Sequence, residues 1–426
     1  MNKINKIQVY YNGYGENRLV GTLTQQGNRP VFGYDASWLA DGLPLSPIEM
    51  QTDSKTTLFY GQHANSHYLC GLLADSLPDG WGMLLMDKFF QKQFNKQRHE
   101  INVLERFAYI GSSDRIIGAL TFEPEHSHDN DSFELDLLAM ANANEQILLG
   151  HDSDILQELL IMGGSAQGAR PKSLLYYDPQ TEIISTQAQS KHQPNLQPWL
   201  IKFPAQGEDK SVCLLESLYA DYAIQAGLAV PPHRYFDISD SQGAFAVQRF
   251  DRQQTDQRDY SQRIHVHTLA GLLDIDFRMP SINYIQYLRC VRMLTKSQQQ
   301  VEQAYRQVVF NVLFNNKDDH SKNFSFIMER QGNWSLAPAY DVTYNTGSNG
   351  YHQMDVCGEA KQPNRKQLLQ LAQRADIKNN TAQHIIEEVV AVAEKMLKEI
   401  QHHAIASELL QQVSKDVGAN IDRMNI

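Results

Sequence analysis

The residues best equipped for chemistry are Asn316-Lys317-Asp318-Asp319-His320-Ser321-Lys322-Asn323, followed after one short strand-like run by Pro338-Ala339-Tyr340-Asp341-Val342. An Asp and an Asn five positions apart, with a second Asp on the next element, suit the movement of a phosphoryl group from a nucleotide. That reaction leaves a protein little covalent work: the site aligns a hydroxyl with the γ-phosphate and neutralises charge on the equatorial oxygens. Mg²⁺ keeps several waters and takes a few hard oxygen ligands, which one carboxylate and one side-chain amide supply. Asp341 and Asn323 fit that role, leaving Asp318 for the attacking hydroxyl. Polar turns also produce the Asp-x-x-x-x-Asn spacing. Here apolar runs, 308–314 before the cluster and 324–328 after it, pin the loop between buried elements.

Protein kinases use the same order of catalytic Asp, Mg²⁺-binding Asn and Mg²⁺-binding Asp. Such a site also needs a phosphate cradle and a lysine. Gly163-Gly164-Ser165-Ala166-Gln167-Gly168-Ala169-Arg170-Pro171-Lys172 precedes an apolar strand pattern, and its glycines let backbone N–H groups approach phosphate oxygens. It matches neither the P-loop nor the dinucleotide-binding fingerprint. Trp199-Leu200-Ile201-Lys202-Phe203-Pro204 places one lysine inside an apolar strand, where it is either a solvated edge residue or a paired functional one. Glu216, which begins a helical pattern through Leu218, Tyr219, Tyr222, Ala223 and Ala226, is the available ion-pair partner. Ala244 to Phe250 reads as the strand leading to a hinge between lobes.

In their order, the Gly-rich stretch, Ile-Lys-Phe-Pro at 201–204, Ala-Val-Gln-Arg-Phe-Asp-Arg at 246–252, Asp-Asp-His-Ser-Lys-Asn at 318–323 and Tyr-Asp-Val at 340–342 resemble the HipA toxin kinases of bacterial type II toxin–antitoxin systems. The resemblance extends upstream through 18–23, 43–47 and Ser76-Leu77-Pro78-Asp79-Gly80-Trp81-Gly82, so it covers nearly the whole chain. It implies ATP and Mg²⁺ as cofactors. Gln167, Gly168, Ala169, Arg170, Pro171 and Lys172 would lie over the phosphates, Lys202 would contact them, and Gln248, Arg249 and Phe250 would line the adenine side. Asp318 would be the catalytic base and His320 would support its loop; Asn323 and Asp341 would hold Mg²⁺, with Ser321, Lys322 and Tyr340 completing the nucleotide site. Ser165 aligns with a serine that family members phosphorylate on themselves, silencing the kinase; it also reads as a small turn residue. Asp319 departs from the family, which more often has a small residue there, and the spacing to Asn323 favours Asp318 over it as the base.

The implied fold class is α+β: a bilobal, protein-kinase-like fold with a small N-terminal α/β domain over 1–125, a β-rich ATP-binding lobe over 150–252 and a mainly helical catalytic lobe over 253–426. The implied function is phosphorylation of a serine or threonine on a protein, an aminoacyl-tRNA synthetase being one such target. A HipB-like helix-turn-helix antitoxin would be the partner, bringing the chain to operator DNA. Two alternatives are a small-molecule kinase of the aminoglycoside or choline type and a catalytically silent corepressor.

Composition is compatible with these readings. With 426 residues, 42% of them hydrophobic, the chain can bury two or three cores. A net charge of −11 argues against autonomous binding of bare nucleic acid. Cys70, Cys213, Cys290 and Cys357 are widely spaced with no C-x-x-C pair, which indicates a reducing compartment. With no apolar signal core at the N-terminus and no apolar run of membrane-spanning length, the expectation is cytoplasmic and away from membranes. The polar stretch 123–131 reads as an exposed connection and 187–198 as a hairpin loop; His265/His267 and His402/His403 read as solvated histidines rather than metal ligands. Beyond Arg252 the pattern is mostly helical. Ile385, Ile386, Val389, Val390, Ala393, Met396, Leu397 and Ile400 mark one helix face, which suits core packing or, as the alternative, a partner-binding surface.

Overall fold

The computed structural model describes residues 4–27, 29–52, 57–111, 116–125, 136–151, 159, 168, 170–185, 195–255 and 262–425. The N-terminal region builds an antiparallel sheet from β1 (Lys6–Tyr11), β2 (Arg18–Gln26), β3 (Arg29–Tyr34), β4 (Leu58–Phe59) and β5 (Leu120–Glu123), in the order β4-β3-β2-β1-β5. Ile7, Val9 and Tyr11 alternate inward along β1, as a sheet with one buried face requires. Helix α1 (Ala36–Asp41) follows β3. Helices α2 (Gly71–Ala74), α3 (Gly80–Phe94) and α4 (Val103–Ile110) come between β4 and β5, and α4 packs on β1, β2 and β5. A capping box between Asn102 and Glu105 starts α4.

The second sheet, order β7-β6-β8-β10-β9, contains β6 (Lys172–Tyr177), β7 (Ile184–Ser185), β8 (Gln197–Lys202), β9 (His233–Asp237) and β10 (Gly243–Gln248). Every residue of β6 is buried. Helix α5 (Leu137–Leu148) and the start of α3, through Trp81 and Leu85, share a core with this sheet. On its other side α6 (Ser211–Gln225) packs against β9 and β10. This helix begins five residues before Glu216, because Asp209 accepts the Ser211 N–H at 2.8 Å.

The C-terminal region is helical, with α7 (Leu269–Leu272), α8 (Tyr284–Thr295), α9 (Gln298–Leu313), α10 (Arg365–Arg374), α11 (Asn379–Glu399) and α12 (Ser407–Met424). The inward stripe of α11 is Ile385, Ile386, Val389, Ala393 and Met396, continued by Ile400. Strands interrupt the helices more than the apolar pattern suggests: β11 (Arg252–Gln253) pairs with β12 (Gln262–Arg263), and β13 (His265–Thr268), β14 (Ser325–Met328) and β15 (Trp334–Leu336) form a three-stranded sheet. This placement corrects the reading of His265 and His267 as solvated. Both are buried on β13, where His265 Nε2 bonds the Leu45 carbonyl oxygen and His267 bridges Asp75 and Ser46. His402 and His403 are exposed. One apolar core runs from the N-terminal sheet into the helical lobe. The result is a mixed α+β architecture, with a cleft between the second sheet and the loop that joins α9 to β14.

Candidate functional site

Helix α9 ends at Leu313, and Asn315 then turns the chain through a left-handed backbone (φ +54°) into the polar loop. Asn311 and Asn316 join side chains at 3.0 Å beneath that loop. The Asn323 amide returns to donate to the Asp318 carbonyl oxygen at 2.8 Å, closing the five-residue spacing into one turn and leaving the amide oxygen as an acceptor. Asp341, on the segment after β15, also has a left-handed backbone (φ +55°), an uncommon conformation for Asp and one that clusters at functional sites.

These segments face a cavity of about 560 Å³ whose walls come from all three regions. Lys202, at the end of β8, bonds Glu216 of α6 and Asp341 on the opposite wall, each at 2.5 Å. Burial opposes the charge on Lys202, but Asp341 and then Glu216 hold its ammonium well above the usual lysine range. Burial likewise opposes the Asp341 carboxylate, yet Lys202 and Lys172 hold it well below its ordinary range. Lys172 lies directly across the ladder from Lys202. Burial, reinforced by that second ammonium, pushes Lys172 down to about 8. Arg170 pairs with Glu208 at 2.7 Å.

Asp318 stands with its side chain 46% exposed to the cleft and 3.7 Å from His320 Nε2. Burial raises its carboxyl above the ordinary value; His320 opposes this, while Asp341 and Asp319 add to it. Asp319 faces the other way and is fully buried. It accepts from the Tyr284 hydroxyl at 2.5 Å and the Gln353 N–H at 2.7 Å, and contacts His352 Nδ1 at 2.8 Å.

The cavity brings together Gly168, Arg170, Lys172, Lys202, Glu216, Gln248, Arg249, Phe250, Asp318, His320, Lys322, Asn323, Tyr340 and Asp341 from the sequence-derived set. Pro171 and Ser321 are not on its walls: Pro171 accepts the Phe203 N–H at 2.9 Å and Ser321 is buried. Gln167, Ala169 and Ser165 lie outside the described residues. The Arg249 guanidinium binds Asp251 and the Ile116 carbonyl oxygen, so it ties the second sheet to the N-terminal region. Two participants were not singled out in the sequence. Glu208 gave no signal, whereas Asp79, which bonds Lys322 at 2.8 Å, lies in the quoted Leu-Pro-Asp-Gly motif that reads as a turn.

The donor set fits a nucleotide polyphosphate with a divalent cation. Gly168 has φ +99°, a backbone conformation that side-chain-bearing residues rarely adopt, and its Cα lies close against Lys172 Nζ. Among the described residues no group of three or more His, Cys, Asp or Glu could hold a metal; the Asp341 carboxylate and the Asn323 amide oxygen are hard oxygen donors on the cavity wall that could serve a cation. No helix among the described residues is long and apolar enough to cross a membrane.

Residues 7–123 match the HipA N-terminal domain, and residues 164–397 match the HipA-like C-terminal domain. A protein of Haemophilus influenzae named "Putative kinase" is 25% identical over 194 residues, which is 42% of this chain and 52% of that protein. A second one so named, from Sinorhizobium fredii, is 27% identical over 157 residues, 34% of this chain and 36% of that protein. The alignments thus span about half of the first relative and about a third of the second. The solved complex of the Shewanella oneidensis MR-1 toxin–antitoxin system, HipA, HipB and operator DNA, contains a chain of the same fold: TM-score 0.69 with 16% identity, covering 98% of this chain and 96% of that one.

Proposed function

From a chain that belongs to the HipA family, its N- and C-terminal domain models matching in order, we propose a serine/threonine protein kinase that acts as the toxin of a toxin–antitoxin pair. The observation that carries the reading is the buried Glu216–Lys202–Asp341 chain, which links helix, strand and opposite wall across the cavity holding Asp318 and Asn323. An active kinase needs this lysine–glutamate pair and metal-binding aspartate in place together.

Lys172, Lys202 and Arg170 supply positive charge for the ATP phosphates, and the backbone at Gly168 covers them. Gln248 and Phe250 line the adenine side. Asn323 and Asp341 would hold Mg²⁺, which neutralises charge on the phosphate oxygens when bound. Asp318 accepts and orients the attacking hydroxyl of the target protein, with its charge tempered by His320. Asp319 is assigned a structural part, since its carboxylate is already bonded to the core. A phosphate on Ser165, three positions before Gly168 in the chain, would add close to two negative charges to the Gly-rich stretch and silence the kinase.

The likeness to HipA supports a HipB-like helix-turn-helix antitoxin as partner, with operator DNA reached mainly through it. The net charge of −11 suits that indirect contact. The target would be a protein, with an aminoacyl-tRNA synthetase as the candidate to assay first. We assign the chain to the cytoplasm and its units to 1–125, 150–252 and 253–426.

Intact-mass analysis with and without Mg-ATP, alongside Asp318→Ala and followed by peptide mapping around Ser165, tests the proposal. A phosphate gained by the natural chain and not by the variant supports kinase chemistry. No gain together with no ATP binding would leave a silent binding module.

A further inference from the structure

Helix α3 begins at Gly80 behind Asp79, a residue type that ordinarily caps its own helix by accepting an N–H from the first turn. This Asp79 makes no such bond. Its Oδ1 accepts the N–H of Gly168 in the Gly-rich stretch, and its Oδ2 accepts from Lys322 Nζ in the catalytic loop at 2.8 Å. The free Trp81 N–H of the first turn completes the contact by donating to the Gly168 carbonyl oxygen at 2.9 Å. Both backbone groups of Gly168 are therefore held by the start of α3, and one carboxylate touches both loops that face each other across the cavity.

The contact is buried and anchored. The Asp79 and Lys322 side chains are 11% and 10% exposed. Burial works against the Asp79 carboxylate, yet Lys322 and the Gly168 N–H keep it below its ordinary value. Four residues earlier, Asp75 accepts the Thr268 N–H and hydroxyl, each at 2.8 Å, and bonds His267 at 2.6 Å, which fixes this part of the N-terminal region to β13. Lys322 Nζ also lies 4.9 Å from the Phe277 ring centroid. A lysine has three N–H donors, and only one is committed to Asp79.

We propose that Asp79 is a positioning residue for phosphoryl transfer: by joining Gly168 to Lys322 it sets the phosphate-covering backbone over Lys172 and aims the remaining Lys322 donors at the transferred group. The inference rests on the kinase reading of the same cavity. It makes the N-terminal domain part of the transfer geometry, although that domain contributes neither base nor metal ligand. Removing the carboxylate charge while keeping an acceptor should then spare nucleotide binding and impair turnover. Removing the acceptor as well should release Gly168.

The test uses the full chain with Asp79→Asn, Asp79→Ala, Lys322→Met and the Asp79→Asn/Lys322→Met double variant. Steady-state turnover of Mg-ATP gives kcat and KM, and hydrogen–deuterium exchange at the Gly168 amide without nucleotide reads the clamp directly. Asp79→Asn should lower kcat about tenfold or more, the size of a lost charge-assisted hydrogen bond, with KM for ATP within about threefold. The double variant should be no slower than Lys322→Met, because one interaction is removed either way. Asp79→Ala should in addition raise KM and speed Gly168 exchange about tenfold or more. Unchanged kcat in Asp79→Asn, multiplied losses in the double variant, or unchanged Gly168 exchange in Asp79→Ala would each overturn the proposal. If the natural chain turns over no ATP, the kinase reading and the positioning role resting on it both fail, whatever the exchange shows.

Discussion

Two lysines face each other across the β6–β8 ladder, and they are not equivalent. Lys202 has both carboxylates, while Lys172 sits beneath Gly168 with burial and the neighbouring ammonium against it, pushed down to about 8. Near pH 7 about nine-tenths of Lys172 would be charged, and near pH 9 about one-tenth. A bound polyphosphate places negative charge beside this ammonium and draws its pKa back up, so the bound state holds more protons than the free one. Affinity for ATP is then highest below about pH 8 and falls as pH rises, by about tenfold between pH 7 and pH 9. At pH 8 binding should take up about half a proton, which titration calorimetry reads from the spread of heats in buffers of different ionisation enthalpy. The stability of the free protein moves in the opposite sense: a lysine depressed by folding costs most while it is protonated, so stability rises from about pH 8 towards the unfolded value of about 10.5. Lys172→Met should abolish both the proton uptake and the slope. Affinity flat from pH 7 to pH 9, or the same slope in Lys172→Met, would refute the reasoning.

Glu216→Gln should lower stability by about 2 kcal/mol, since Lys202 stays buried with one carboxylate instead of two; the midpoint of urea unfolding reads it. Asp318→Ala and Asp319→Ala should separate cleanly. The first abolishes transfer and changes stability by no more than about 1 kcal/mol. The second strands the Tyr284 hydroxyl and the Gln353 N–H in the core and costs about 3 kcal/mol or more, seen as a fall in Tm. Asp75→Ala should cost about 2 kcal/mol by unpairing Thr268 and His267, with early unfolding of the N-terminal region detected by hydrogen exchange.

The parts of this site legible in the sequence are those whose partners are close in the chain or whose residue type conflicts with its surroundings. Asp318 and Asn323 close on each other within one turn, so their spacing carries the geometry. Lys202 interrupts an apolar strand, and a buried ammonium requires a carboxylate; Glu216, only 14 residues on, could be named. Its second partner, Asp341, lies 139 residues away, and nothing local distinguishes a carboxylate that meets a lysine from one kept for a metal. His267 is illegible in the sequence for the same reason. Two histidines alternating with Val266 look solvated until Asp75 and Ser46, 192 and 221 residues off, supply the bonds that make burial affordable. Asp319 is the sharpest case: the five-residue spacing to Asn323 favours Asp318 as the base but gives the neighbouring carboxylate no role. Only Tyr284 and His352, brought together by α8 and the segment before α10, turn it into the core. Asp79 shows the converse: Pro78-Asp79-Gly80 has the composition of a turn, while the Asp79 carboxylate is diverted from the helix that follows it to two loops far away in sequence. A capping residue that leaves its own helix uncapped forgoes about 1 kcal/mol of local stability, so the bonds to Gly168 and Lys322 must offset that loss.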